Sequence, residues 1–280
     1  MKFYIHTGGG LGDMVKHYFW GHLGWKYIES IKDKYPNSKI KLTTTCSNPI
    51  GSDIFKFNPY IDEKETYPWH SPNVVWSGLK NKTIGYSNLA EINKTLENKN
   101  LIARSPKVIY LGDTDKKDLV KFQPKEKYIV MHPFAGDTIR MSLPIKEYFA
   151  LAQQYINKLN CKVLIVGGNS QRVIGKTDRI IKEIFPFEDK GIINLVNKIS
   201  IRTALRLTQE ASCFLGTNSS FFCVRLSLNK PAIVFFNKTA RKKSIWKLPK
   251  TSDIYHVATK ENKCMHHKQV MEIVKNALQS

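Results

Sequence analysis

From Tyr128 onward the chain alternates short apolar runs with amphipathic stretches. Tyr128-Ile129-Val130-Met131 is an unbroken apolar run closed by His132-Pro133, the pattern of a strand buried on both faces. Ile145 to Leu159 then spaces its apolar residues at helical intervals, and Lys162 to Val166 is a second buried strand ending in Gly167-Gly168. The alternation continues as a helix over Thr177 to Phe185, a strand over Ile192 to Leu195 and a helix over Ser200 to Ala211. A strand over Cys213 to Leu215, a helix over Ser219 to Leu228 and a strand over Ala232 to Phe236 complete it. Strands that a helix always separates pair in parallel, so this half predicts a doubly wound α/β sheet.

The amino-terminal half is α/β but less regular. Phe3-Tyr4-Ile5-His6 predicts a strand, Gly8-Gly9-Gly10-Leu11-Gly12-Asp13 a glycine loop, Met14 to about Ile31 a helix, and Lys39 to Thr44 a second strand. The segment Asn48 to Trp76, rich in Pro, Trp and Tyr, reads as a loop. After a strand at Val108 to Leu111, the polar stretch Gly112 to Lys127 reads as an interdomain linker. The expected architecture is two Rossmann-like domains, 1–125 and 126–280, facing a central cleft.

Composition narrows the partners. The 280 residues carry 44 Lys plus Arg against 23 Asp plus Glu, a net charge of +21, which attracts phosphates, acidic glycans or anionic membrane. The densest basic cluster, Lys238, Arg241, Lys242, Lys243 and Lys247, reads equally as a solvated surface. No helix-turn-helix, zinc-finger or RNA-recognition signature accompanies the charge, so specific nucleic-acid binding is not expected. Five cysteines without a C-x-x-C pair, and a start lacking an apolar run, lead us to expect free thiols and a cytoplasmic protein. No apolar run approaches the roughly 20 residues of a membrane span, so any membrane contact would be peripheral.

Candidate chemistry gathers at the turns. Glycines 8, 9, 10 and 12 leave backbone amides free to approach an anion at a helix start, but neither the G-x-G-x-x-G spacing nor Gly-Lys-Ser/Thr is present. Asp13, at the mouth of the helix from Met14, reads either as its N-cap or as an ionised carboxylate able to act as a base. His132 ends a strand at the sheet's carboxyl edge, where open α/β sheets bind ligands, and Arg140 follows with a guanidinium suited to a diphosphate. Thr217-Asn218-Ser219-Ser220 offers hydroxyls and amides at a further helix start, an anion cradle and an N-cap at once. Asp113-Thr114-Asp115 has the D-x-D form of a metal-diphosphate site but falls in the polar stretch, and Cys264, His266 and His267 read as a helix start rather than a metal site. No metal is assigned.

Together the loop ending Gly12-Asp13, the His132-Pro133-x-Ala135 segment with Arg140 and Pro144, the strand Val163 to Gly168 and the turn Gly216-Thr217-Asn218-Ser219 resemble glycosyltransferase family nine, which contains the heptosyltransferases. The resemblance implies a GT-B fold and metal-independent transfer, with inversion, of a sugar from a nucleotide diphosphate donor, without a cofactor. It implies Asp13 as the catalytic base, and Gly10, Gly12, His132, Arg140, Gly168, Thr217, Asn218, Ser219 and Ser220 as the donor and phosphate side. The acceptor is expected to be a glycan, lipid-linked or otherwise anionic. The family's donor turn carries an Asp and a following His where this chain has Asn218 and Cys223, which motivates a competing reading as a non-catalytic GT-B-like binding protein.

Overall fold

The computed structural model describes residues 2–9, 32–46, 53–68, 86–88, 109–134, 143, 145–167, 190–217, 219–228, 230–237, 254–260, 263–264 and 267–280. The chain forms two compact units, Met1–Gly112 and Asp113–Ser280.

In the first unit, strands β1 (Lys2–Gly9), β2 (Lys39–Cys46), β3 (Glu63–Pro68) and β4 (Tyr86–Asn88) form a parallel sheet in the order β3-β2-β1-β4. Gly8 and Gly9 do not begin a loop. They continue β1 opposite Thr45 and Cys46. Likewise β3 lies inside the stretch read as loop: a Lys41–Glu65 ion pair ties it to β2, and Pro68 is tolerated because β3 is an edge strand. Ile109 to Leu111, expected to complete a strand, is irregular.

The second unit is built on seven strands: β5 (Tyr128–His132), β6 (Lys162–Ile165), β7 (Ile192–Asn194), β8 (Cys213–Gly216), β9 (Ala232–Asn237), β10 (Ile254–Lys260) and β11 (Lys263–Cys264). Their order is β11-β10-β9-β8-β5-β6-β7, parallel except for the β10–β11 pair. The helices are α1 (Asp113–Phe122), α2 (Ile145–Leu159), α3 (Ile201–Glu210), α4 (Ser220–Leu228) and α5 (His267–Gln279).

Alternate residues of each strand divide between the two faces, and both faces are covered. Ile129, Met131, Val163, Ile165, Cys213, Leu215, Ile233 and Phe235 share one core with Tyr148, Leu151, Ala152 and Tyr155 of α2 and Val270, Val274 and Ala277 of α5. The helix positions recur at i, i+3, i+4 and i+7, the stripe that faces a sheet. Val130, Leu164, Phe214 and Val234 point the other way and are equally buried. On that side the Tyr128 hydroxyl donates to the Leu207 carbonyl of α3 over 2.9 Å. Apolar burial on both faces is what turns the strands into continuous hydrophobic runs.

The expected linker is instead α1, and it belongs to the second unit. Asp115 is buried on α1 and binds Arg202 of α3 through Nε at 2.8 Å and Nη2 at 3.2 Å, while the Ser200 and Thr203 hydroxyls donate to the same carboxylate. Ser200 also caps α3 by accepting the Thr203 amide at 3.1 Å. The D-x-D reading of Asp113 and Asp115 therefore fails: Asp115 is consumed by a buried ion pair and Asp113 is exposed beside Lys116. Charge and local polarity could not distinguish a solvated linker from a helix whose one buried carboxylate meets a partner 87 positions away.

Candidate functional site

The strand order reverses between β5 and β8. From β5 the sheet grows through β6 to β7 on one side, and through β8, β9 and β10 on the other. The helices that follow β5 and β8, α2 and α4, leave to opposite faces, so the backbone parts at the carboxyl ends of these two strands. In open parallel sheets that parting is where ligands bind.

His132 ends β5 at this point, opposite Gly216 of β8. Its carbonyl accepts the Thr217 amide at 3.1 Å, and the Thr217 hydroxyl donates to the Phe134 carbonyl at 2.8 Å. The two turns are thus closed on each other beyond the last strand pair. Glycine is required at both flanks. A Cβ on Gly216 would stand 2.5 Å from the His132 carbonyl oxygen, and one on Gly167, where φ is +155°, would stand 2.7 Å from Cδ2 of Phe134.

The His132 imidazole lies 4.5 Å from the ring of Phe221 in the first turn of α4 and edge-on to Phe134 at 5.8 Å. Its Nδ1 is buried with no hydrogen-bond partner. Burial pushes its pKa down to about 3, so the ring is neutral at physiological pH and acts as a dipole, not as a cation for phosphate. An unfolded histidine protonates near 6.5, so the unfolded chain binds the extra proton first as pH falls. The native state then loses stability between about pH 6.5 and 3, by about 2 kcal/mol at pH 5 relative to pH 8. Urea unfolding at the two pH values should show this loss in the wild type and a loss about 2 kcal/mol smaller in His132→Phe. Equal pH dependence in the two would refute the neutral buried imidazole.

At the start of α4, Cys223 donates its amide to the Ser219 carbonyl at 3.1 Å, which makes Ser219 the N-cap. Its hydroxyl nonetheless has no partner and is buried, unlike the Ser200 hydroxyl of α3. Helix α4 has nine residues and no acidic side chain in its first turn, so its positive end is uncompensated from within the helix. A helix start, an unpartnered hydroxyl and a neutral imidazole around a glycine-lined parting suit an anionic ligand held by directed hydrogen bonds.

The structure therefore brings together His132, Thr217, Ser219 and Ser220 of the expected donor residues. Gly10, Gly12, Asp13, Arg140, Gly168 and Asn218 lie outside the described residues, as does the expected helix from Met14. Gly167 and Gly216 stood in the motifs read from the sequence without a site role, and Phe134 and Phe221 were given none. The Gly167-Gly168 pair after a strand was the visible signal for the first; the aromatic contacts to His132 had none, because Phe221 is reached only through the β5–β8 pairing. Among the described residues no group of three or more His, Cys, Asp or Glu could hold a metal ion. Buried Cys161 and Cys213 have thiols pushed up to about 11 and about 12 by desolvation, which keeps both protonated and unreactive. Among the described residues no helix is long and apolar enough to cross a membrane.

The sequence profile of glycosyltransferase family 9 (heptosyltransferase) matches residues 94–277, well over half of the chain. No curated protein sequence matches it. Among solved structures, the chain is similar to E. coli ADP-heptose LPS heptosyltransferase II, with a TM-score of 0.64 at 13% identity over 100% of this chain and 99% of that one. It is similar to a family 9 glycosyl transferase from Veillonella parvula, with a TM-score of 0.66 at 11% identity over 99% and 97% of the two chains. A third likeness is to E. coli heptosyltransferase WaaC with ADP, with a TM-score of 0.60 at 10% identity over 99% and 100%. At these identities the structural likeness speaks for the fold, which is GT-B.

Proposed function

We propose, for a chain that belongs to glycosyltransferase family 9 and is a glycosyltransferase, that it moves a sugar from a nucleotide diphosphate donor to an acceptor hydroxyl with inversion. The observation that carries this reading is the parting between β5 and β8. It presents the unpartnered Ser219 hydroxyl and the open amino-terminal end of α4 where a diphosphate would lie. The family resemblance assigns Arg140, Gly168, Asn218, Ser220, Gly10 and Gly12 to the same donor side.

In the step itself, Asp13 takes the proton of the acceptor hydroxyl as its oxygen bonds to the anomeric carbon. The bond from that carbon to the diphosphate oxygen breaks on the opposite face, and the electron pair leaves with the nucleoside diphosphate. Charge grows on the departing phosphates, so donors fixed at Arg140 and the start of α4 stabilise the transition state more than the ground state. These groups replace a metal ion, and transfer should persist in excess chelator. The acceptor is a glycan or glycolipid, lipid-linked or otherwise anionic, which the basic surface would attract with a peripheral membrane contact in the cytoplasm.

The test is thermal unfolding with ADP, GDP, UDP, dTDP and CMP. ADP comes first because an E. coli relative in fold was solved with it. A ligand at 100 times its dissociation constant stabilises the native state by about 2.7 kcal/mol, a rise of roughly 5–11 °C in the midpoint for a unit of this size. We expect one nucleoside diphosphate to produce that shift. No shift with any of the five would remove the crevice as a donor site.

A further inference from the structure

We propose that Thr217 is a positioning residue of the donor site and does not itself contact the donor. The proposal rests on the reading of the β5–β8 parting as that site. Thr217 is 1% exposed, and both of its hydrogen-bond donors are spent on the β5 turn: the amide on the His132 carbonyl at 3.1 Å and the hydroxyl on the Phe134 carbonyl at 2.8 Å. A threonine hydroxyl has one proton to give, and giving it to Phe134 leaves none for a phosphate oxygen. Ser219, two residues on, keeps its hydroxyl unpartnered. The two side chains of the turn therefore divide the work, one bonding within the protein and one left for a ligand.

What Thr217 holds explains why it matters. Phe134 is gripped on three sides: its carbonyl by Thr217, its ring by the close backbone of Gly167, and its ring edge by His132. His132 and Phe134 form the turn after β5, and Thr217 opens the turn that carries Ser219. The Thr217 bonds set the spacing between these two turns, and so preorganise the Ser219 hydroxyl and the start of α4 relative to the end of β5.

Thr217→Val deletes the hydroxyl bond and keeps the amide bond and the shape; Thr217→Ser restores the hydroxyl. Without nucleotide, amide exchange in the peptide containing Phe134 should quicken in the Val variant, with exchange in α5 unchanged as the control for an intact fold. The dissociation constant of the nucleoside diphosphate that stabilises the wild type should rise roughly five- to tenfold in the Val variant. Both properties should return to wild type in the Ser variant. Weaker nucleotide binding with unchanged exchange would overturn the proposal, because it marks a direct contact. Unchanged exchange and unchanged binding would overturn it as well. Faster exchange in the Val variant, in a protein whose wild type binds none of the five nucleotides, would sink the donor reading while leaving the Thr217–Phe134 latch standing.

Discussion

Asp13→Asn is expected to lower the transferase turnover number by roughly 10²–10⁴-fold, the usual worth of a positioned general base. An acceptor hydroxyl is a poor nucleophile until its proton is taken, and inversion leaves room for a single base on the face opposite the leaving group. Asparagine keeps the shape of the side chain and its ability to accept an amide at a helix start, so an N-cap role would survive the change with little cost. That is what separates the two readings of this residue. If Asp13 is only a cap, the variant keeps its activity; if it is the base, activity falls while the thermal midpoint and the nucleotide dissociation constant stay near wild type. Initial rates at saturating donor and acceptor, with the unfolding midpoint as control, decide it. Full activity in the Asn variant would remove Asp13 from the mechanism.

Arg225→Met is expected to destabilise the native state by about 3–5 kcal/mol, because several buried carbonyls lose their donor at once and each unsatisfied group costs about 1–3 kcal/mol. Arg225 lies wholly buried on α4, and its hydrogen bonds go to backbone carbonyls. Its Nε and Nη2 donate to the Pro231 carbonyl at 3.1 and 2.9 Å, Nη1 to Thr208, Gln209 and Ala211 at 3.2, 3.4 and 2.7 Å, and Nη2 also to Ser212 at 2.9 Å. These are the carbonyls at the end of α3, where the helix dipole is negative, and at the entry to β9. Desolvation draws the guanidinium pKa down to about 10, which still leaves it charged at neutral pH. Methionine fills much of the volume but strands the carbonyls. Lysine reaches fewer of them, so Arg225→Lys should fall between the two. Urea unfolding at pH 7.5 measures both, and a loss below 1 kcal/mol in the Met variant would show that water can replace the guanidinium.

Elements with a strong local signal were legible from the sequence. β5 and α2 form over the expected residues, because five buried positions in a row and a stripe at helical spacing leave few alternatives. The turns after β5 and β8 were also legible as turns at the sheet's carboxyl edge, since strand, small residue and helix start follow one another within a few positions. β3 and α1 were not. Glu63 to Pro68 is polar and ends in proline, and only its place at a sheet edge makes it a strand. Asp113 to Phe122 has no apolar stripe of its own, and the Asp115–Arg202 pair that anchors it spans 87 positions.

By itself the sequence determined the alternation of strands and helices in the second unit, the net positive charge, and the turns at His132 and at Thr217 to Ser220. Each of these depends on interactions among near neighbours in the chain. Tertiary structure alone decided that β8 lies beside β5, that His132 is desolvated to neutrality against Phe221, and that Thr217 spends its hydroxyl on Phe134. It also decided that an arginine on α4 closes the end of α3. Those outcomes depend on which distant segments share a boundary, and burial and hydrogen-bond partnership belong to that boundary, not to any residue read in its local context.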